Sequence, residues 1–290
     1  MAPTQTREPK LKITRSPGRN PCFDEMLGEG LTLRMMQILG GSFMMGSPED
    51  ELDNYDDEQP QHEISVATCF MGKYPVTQAQ WRFVAALEPV EQELEADPSH
   101  FKGDNRPVEQ VNWHEAVEFC QRLSRHSQKQ YQLPTEAQWE YACRAGTTTP
   151  FHFGETITTD LANYQGTDNK ESDWSGSYGN GPKGVYREET TAVDYFDIAN
   201  AFGLCDMHGN VWEWCADHWH ENYEGAPTNE SAWLTEDENA NRVIRGGSWV
   251  DSPRNCRSAT RLLNRPVDRG GNIGFRVCCA APRTLQPPAS

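Results

Sequence analysis

The stretch from residue 147 to 245 constrains this chain most. It is rich in Gly, Asn, Asp, Ser and Thr and carries neither a sustained helical period nor a long alternating run, yet tryptophans and tyrosines recur through it. Large aromatic side chains must be buried, so such a stretch predicts long packed loops with short strands rather than disorder. At 290 residues the chain can bury a sizeable core. Its 23 Gly and 19 Pro supply turns, and 9 Trp, 11 Phe and 9 Tyr supply the bulk between them. The expectation is one irregular, loop-rich α+β domain, with no internal repeat.

Charge and cysteine usage exclude several function classes. A formal net charge of -17 repels a phosphate backbone, so nucleic acid is not an expected partner. No run approaches the roughly 18 apolar residues of a membrane helix. The N-terminus lacks an apolar signal core, which predicts no membrane insertion and a cytoplasmic location. The nine cysteines are an odd number without a CxxC pair, which indicates neither a disulfide framework nor a zinc site. Several of them sit in apolar contexts and are expected to pack as small buried hydrophobes, with Cys256 set apart. Residues 1–30 are polar and basic with Pro9, Pro17 and Pro21 and read as a flexible leader or linker. Residues 31–280 then form the domain, and 281–290 a tail.

Local patterns place the elements. Met36 to Ser47 alternates around Gly40-Gly41 as strands do. The acidic run Glu49–Glu58 reads as a solvated loop; a calcium loop is the competitor, but it lacks the EF-hand spacing and central glycine. His62 to Phe70 alternates as a strand. Thr77-Gln-Ala-Gln80 is a capping box opening a helix to about Leu87, and Thr135-Glu-Ala-Gln138 is a second, opening a helix that stops at Gly146. Between them, Trp113, Val117, Cys120 and Leu123 recur at helical spacing to Ser124, preceded by the lead-in Pro107-Val-x-x-Val111.

The common catalytic signatures are absent: there is no GxSxG elbow, phosphate loop, dinucleotide turn or HExxH helix. His218-Trp-His220 places two imidazoles on one face of a strand, half of a metal site with no third ligand by spacing.

Six motifs in order carry a resemblance from Met36 to Val277. They are Gly41-Ser-Phe-Met-Met-Gly46, Pro75-Val-Thr-x-x-x-Trp81, Leu133-Pro-Thr-Glu-Ala-Gln-Trp-Glu-Tyr-Ala142, Asp206-Met-His-Gly-Asn-Val-Trp-Glu-Trp214, Arg245-Gly-Gly-Ser-Trp249 and Gly274-Phe-Arg276. Together they resemble the formylglycine-generating-enzyme (sulfatase-modifying factor) family, a branch of the C-type lectin fold. The resemblance implies an α+β lectin-type fold with little regular structure. It also implies structural calcium beside the GNxWEW segment, held by the side chains of Asp206 and Glu213 and the carbonyls of Gly209 and Val211. A second implied site would use Asn163 and the carbonyl of Tyr164. Hard oxygen donors of this kind suit calcium.

Catalytic members of that family oxidise a substrate cysteine to formylglycine with copper held by two cysteines after the Gly-Gly-Ser turn. Counting from Ser248, the second position is Cys256, but the first is Asp251, a hard carboxylate unsuited to Cu(I). That puts the oxidase alternative, in which Cys256 would act, in doubt and makes copper an unexpected cofactor.

The segment 245–277 instead resembles the variable region of diversity-generating-retroelement target proteins. There adenines in a template are randomised, and asparagine codons of the AAC type can never become Lys, Gln, Glu, Met or Trp. The positions that vary by this resemblance are Val250, Asp251, Ser252, Arg254, Asn255, Thr260, Leu262, Leu263, Asn264, Arg265, Val267, Asp268, Gly270 and Gly271, and none holds a forbidden residue. Trp249, Leu262 and Leu263 are expected as an apolar centre, with Arg254, Arg261 and Arg265 as donors at its rim. Consecutive leucines followed by Asn-Arg-Pro do not alternate as a buried strand would, which points them to the surface. The function expected is non-catalytic binding of an unknown ligand, a protein by class.

Overall fold

The computed structural model describes residues 12–281. In chain order the strands are β1 (Cys22–Gly28), β2 (Leu31–Ile38), β3 (Gly41–Met45), β4 (His62–Val66), β5 (Cys69–Gly72), β6 (Tyr131–Gln132), β7 (Trp212–His218), β8 (Arg242–Arg245), β9 (Arg261–Asn264), β10 (Ile273–Gly274) and β11 (Cys278–Ala280). The helices are α1 (Gln78–Ala85), α2 (Trp113–Ser127) and α3 (Glu136–Arg144). One sheet runs β1-β2-β5-β11-β6, a second β10-β7-β8-β9, and β3 pairs with β4. From 147 to 245, β7 and β8 are the only strands beyond isolated bridges, so the aromatic-studded stretch is packed loop as its composition predicts.

The leader is where the sequence expectation changes. Residues 1–11 and the tail residues 282–290 lie outside the described residues, but Cys22–Gly28 is strand β1, paired antiparallel with β2. Phe23, Glu25 and Leu27 alternate inward; the charged Glu25 hides the pattern. Its carboxylate is satisfied inside by the Tyr131 hydroxyl at 2.6 Å and the Lys129 ammonium at 2.7 Å. The expected strand His62–Phe70 is two strands, β4 and β5, in different sheets, parted at Ala67-Thr68.

Both predicted capping boxes form, at Thr77 and Thr135. A third, from Asn112 to Glu115, opens α2, which runs on to Ser127. The main core gathers Trp81 of α1, Phe119 of α2, Trp212 and Trp214 of β7, and Phe275. Trp81 stacks on Phe119 at 5.7 Å, and Phe275 meets both edge-on. Phe275 thus fastens the C-terminal segment at the centre of the domain.

The acidic run 49–58 is not simply solvated. Glu58 is fully buried and grips Arg257 with both carboxylate oxygens, at 2.8 and 2.5 Å, and Glu51 joins at 2.6 Å. Among the described residues no helix is long and apolar enough to cross a membrane.

Candidate functional site

Four buried arginines frame the segment from 245 to 276. Arg245 pairs with Glu140 of α3, Arg257 with Glu58, Arg261 with Glu136, and Arg276 with Glu213 of β7. Planar guanidinium forks satisfy a buried carboxylate while also reaching backbone carbonyls, as Arg276 does at Gly72 and Cys205. Arg261 donates to both oxygens of Glu136, at 2.8 and 2.9 Å, so it belongs to this frame and not to the rim where its sequence neighbours placed it. The Gly246-Gly247 turn is obligatory at Gly247, whose φ is +72°. A Cβ there would stand 2.6 Å from the Cys256 sulfur.

On this frame the expected ligand residues separate by burial. Leu262, Leu263, Arg265 and Val267 are exposed, and Trp249, Val250, Arg254, Asn255, Asn264, Asp268, Gly270 and Gly271 are half-exposed. Asp251, Ser252 and Thr260 are buried, which corrects their expected place at the surface. The short 3-10 turn Pro253–Cys256 folds this stretch inward, with the Asp251 N–H donating to Ser248 O at 3.1 Å. Two groups stand out among the remaining positions. Leu262 and Leu263 sit on β9, the edge strand, opposite Ile244 and Val243, followed by the ion-paired Arg265 and Asp268. Trp249 belongs to the other group: its indole N–H donates to Gly271 O at 3.0 Å, it meets Phe101 edge-on, and it stacks with Tyr186.

Because the two leucines are exposed, Leu262→Ser with Leu263→Ser is expected to shift unfolding free energy by no more than about 0.5 kcal/mol per site. Thermal and urea denaturation check this; a collapse of several kcal/mol would return them to the core.

The copper position is filled by a different arrangement. Asp251 Oδ2 accepts from the Trp212 indole N–H at 2.8 Å and from the Ser248 hydroxyl. Burial raises its carboxyl, and these hydrogen bonds oppose the shift. Cys256 is fully buried, and burial holds its thiol well above the ordinary range. Eight of the nine cysteines are buried, Cys22 being the exception.

The oxygen donors implied for calcium are placed as follows. Asp206 Oδ2 is buried without a hydrogen-bond partner. Burial pushes this carboxyl up to about 8, against the pull of Arg276. Glu213 Oε2 accepts from Arg276 Nε and the Trp139 indole, and Oε1 accepts from Arg276 Nη2, leaving Oε1 a further lone pair. The Gly209 carbonyl accepts from the Val211 N–H. An orphaned carboxylate oxygen beside a second carboxylate fits a hard cation. At the second implied site Asn163 Oδ1 is likewise buried and unpartnered, while its amide donates to Glu189 O and Asn210 Oδ1; the neighbouring Tyr164 hydroxyl is also orphaned.

His218 and His220 are employed separately. His218 ends β7 and accepts from the Thr235 N–H at 2.8 Å, while His220 lies beyond the strand, stacked on Trp233. Glu109 is a residue that motif reading missed. It sits within the lead-in to α2, fully buried beneath Gly271, and its only sequence signal is a charge between Val108 and Val111, both buried.

Residues 29–281 match the family described as sulfatase-modifying factor enzyme 1-like domain. The inactive C-alpha-formylglycine-generating enzyme 2 of Bos taurus is 29% identical over 310 residues, 89% of this chain and 91% of that protein. Among solved structures, PvdO from Pseudomonas aeruginosa is similar with a TM-score of 0.72 at 31% identity, over 92% of this chain and 100% of its own. Variable protein 1 of Treponema denticola gives a TM-score of 0.71 at 25% identity, over 90% and 99%.

Proposed function

The chain belongs to the sulfatase-modifying factor enzyme 1-like family and has its loop-rich α+β C-type lectin fold; from that premise we propose that it is a non-catalytic member that binds a protein ligand through segment 249–271. The observation that carries this reading is Asp251. Copper in the catalytic members needs two thiolates, and here a buried carboxylate, tied to Trp212 and Ser248, stands in the first place. Cys256 is fully buried, and burial raises its thiol, which disfavours the thiolate. What remains of the segment is an arginine-fixed frame presenting Leu262, Leu263, Arg265, Val267 and the half-exposed Trp249, the arrangement of a rigid scaffold with adaptable side chains. Similarity to a variable protein and to an inactive relative supports the same reading. We assign the segment as the diversified region of a retroelement target.

Calcium is proposed as a structural ion at Asp206, Glu213 and the carbonyls of Gly209 and Val211, with Asn163 and the Tyr164 carbonyl as a second position, supported by the orphaned Asp206 and Asn163 oxygens. The nine unbridged cysteines support a cytoplasmic location.

Two measurements test the reading. The purified protein, loaded with copper and given oxygen and a Cys-x-Pro-x-Arg peptide, is expected to yield no formylglycine; turnover establishes the oxidase instead. The neighbouring DNA is expected to hold a reverse transcriptase gene and a near-copy of the segment differing only at adenines. The lack of both removes the diversification claim.

A further inference from the structure

Beneath the Trp249 group lies a carboxylate without a partner. Glu109 is fully buried; its Oε1 accepts from the Phe101 N–H at 2.8 Å, and its Oε2 has no hydrogen-bond partner. Its backbone is fixed by reciprocal hydrogen bonds with the Ser99 hydroxyl. A buried, unpaired carboxylate costs several kcal/mol, and this domain gives buried acids such as Glu58, Glu118, Glu136, Glu140 and Glu213 an arginine partner.

The geometry above Glu109 shows what could pair with it. The nearest atoms that a Cβ added at Gly271 would meet are Glu109 Oε2 and Gln110 Nε2, both at 3.6 Å, and His100 Cβ at 3.9 Å. A side chain at 271 would thus start in ordinary van der Waals contact with the carboxylate, and Gly271 is half-exposed and outside the left-handed region, so side chains are tolerated there. Around it stand the half-exposed rings of Trp249, Phe101 and Tyr186. An anionic oxygen at the base of an aromatic rim is suited to a cation carried on an apolar stem. The net charge of -17 draws such partners toward the surface.

We propose that Glu109 is a fixed acceptor beneath the variable segment, that it takes a lysine ammonium or arginine guanidinium of the protein ligand, and that position 271 sets access to it. The inference rests on segment 249–271 being the ligand face. With glycine at 271 the partner supplies the cation; a donor side chain at 271 would occupy Glu109 from within and close the site. Diversification at one codon thereby switches the face between cation-accepting and self-satisfied, with Glu109 itself unchanged.

Burial pushes the Glu109 carboxyl up to about 7. The Phe101 and His100 N–H groups pull it down, followed by Lys102 and Arg106. Cation binding therefore strengthens as pH rises and Glu109 loses its proton.

The test uses the whole chain with N-acetyl-arginine methylamide and N-acetyl-lysine methylamide as probes, and the norleucine analogue as the uncharged control. Binding is read from the indole ¹⁵N–¹H resonance of Trp249, assigned by its loss in Trp249→Phe. A saturable shift is expected with the cationic probes and none with norleucine, and binding is expected to be stronger at pH 8 than at pH 6. Glu109→Gln, which keeps an acceptor for the Phe101 N–H, is expected to weaken binding by about tenfold or more. Gly271→Lys leaves Glu109 in place and is expected to weaken binding similarly. No saturable shift, an equal response to norleucine, or undiminished binding in Glu109→Gln overturns the inference. If copper turnover is also absent and the adenine-variant copy is found, only the cation site fails and the ligand-face reading stands.

Discussion

Glu213→Ala is expected to unfold about 3–5 kcal/mol more easily than the parent in the absence of calcium. The Glu213 carboxylate accepts both donors of the Arg276 fork, at 2.6 and 2.7 Å, and the Trp139 indole N–H at 2.7 Å. Arg276 is fully buried, so truncating its partner leaves a guanidinium facing only carbonyls and the raised carboxyl of Asp206. The loss comes from stranding a charge, not from the net worth of the pair. Glu213→Leu combined with Arg276→Met is therefore expected to recover most of it. A double variant as unstable as the single one would move the cause elsewhere. Calcium gives a second arm, read by urea denaturation with and without chelator. At a hundred times its dissociation constant it should add about 2.7 kcal/mol to the parent and nothing to Glu213→Ala. Equal curves for the parent in both conditions would overturn the calcium assignment and leave the ion pair standing.

The ion pair also marks where sequence reading stops. The capping boxes at Thr77 and Thr135 are local chemistry, complete within four residues, and both form. Asn112 caps α2 in the same way with Glu115, a signal equally local. Leu262 and Leu263 were legible as surface because consecutive leucines followed by Asn-Arg-Pro do not alternate as a buried strand would, and on the edge strand β9 both are exposed. The arginine frame was not legible, since each fork closes on a carboxylate far away in sequence: 125 residues separate Arg261 from Glu136, and 199 separate Arg257 from Glu58. Without those partners an arginine between turn residues reads as exposed, which is how Arg261 came to be placed on the rim. The same blindness applies in reverse to Asp251 and Thr260. They are polar residues in a turn-rich segment that the fold tucks beneath its own surface. Motif order identified the family because the motifs mark the frame; burial between residues 249 and 271 is decided by the frame's distant partners.

Arg257→Ala is expected to lower unfolding free energy by about 3–5 kcal/mol at pH 7 and to loosen one particular part of the candidate face. The Arg257 guanidinium donates to both oxygens of Glu58, to Glu51 and to the Asp53 carbonyl, and its Nε donates to Arg254 O. It is the bolt between the acidic run 49–58 and residues 254–257. Removing it leaves two buried carboxylates without their counter-charge, and burial already raises that of Glu51 against Arg257's pull. A carboxyl whose folded pKa lies above its unfolded value favours the folded state at low pH and opposes it as pH rises. The deficit of the variant should thus shrink as pH falls from 7 toward 5, when the stranded Glu51 carboxyl takes up a proton. Tyr55 donates to Asn255 Oδ1 at 3.1 Å, and the Arg254 guanidinium lies over the Tyr55 ring, so freeing the acidic run also withdraws the floor from two positions of the proposed ligand face. Limited proteolysis is expected to cut the variant within 49–58 while β9 stays protected. Arg257→Lys, with a point charge in place of a fork, should fall between parent and alanine. A deficit that is independent of pH, or cleavage spread evenly over the chain, would show that Arg257 acts through packing alone.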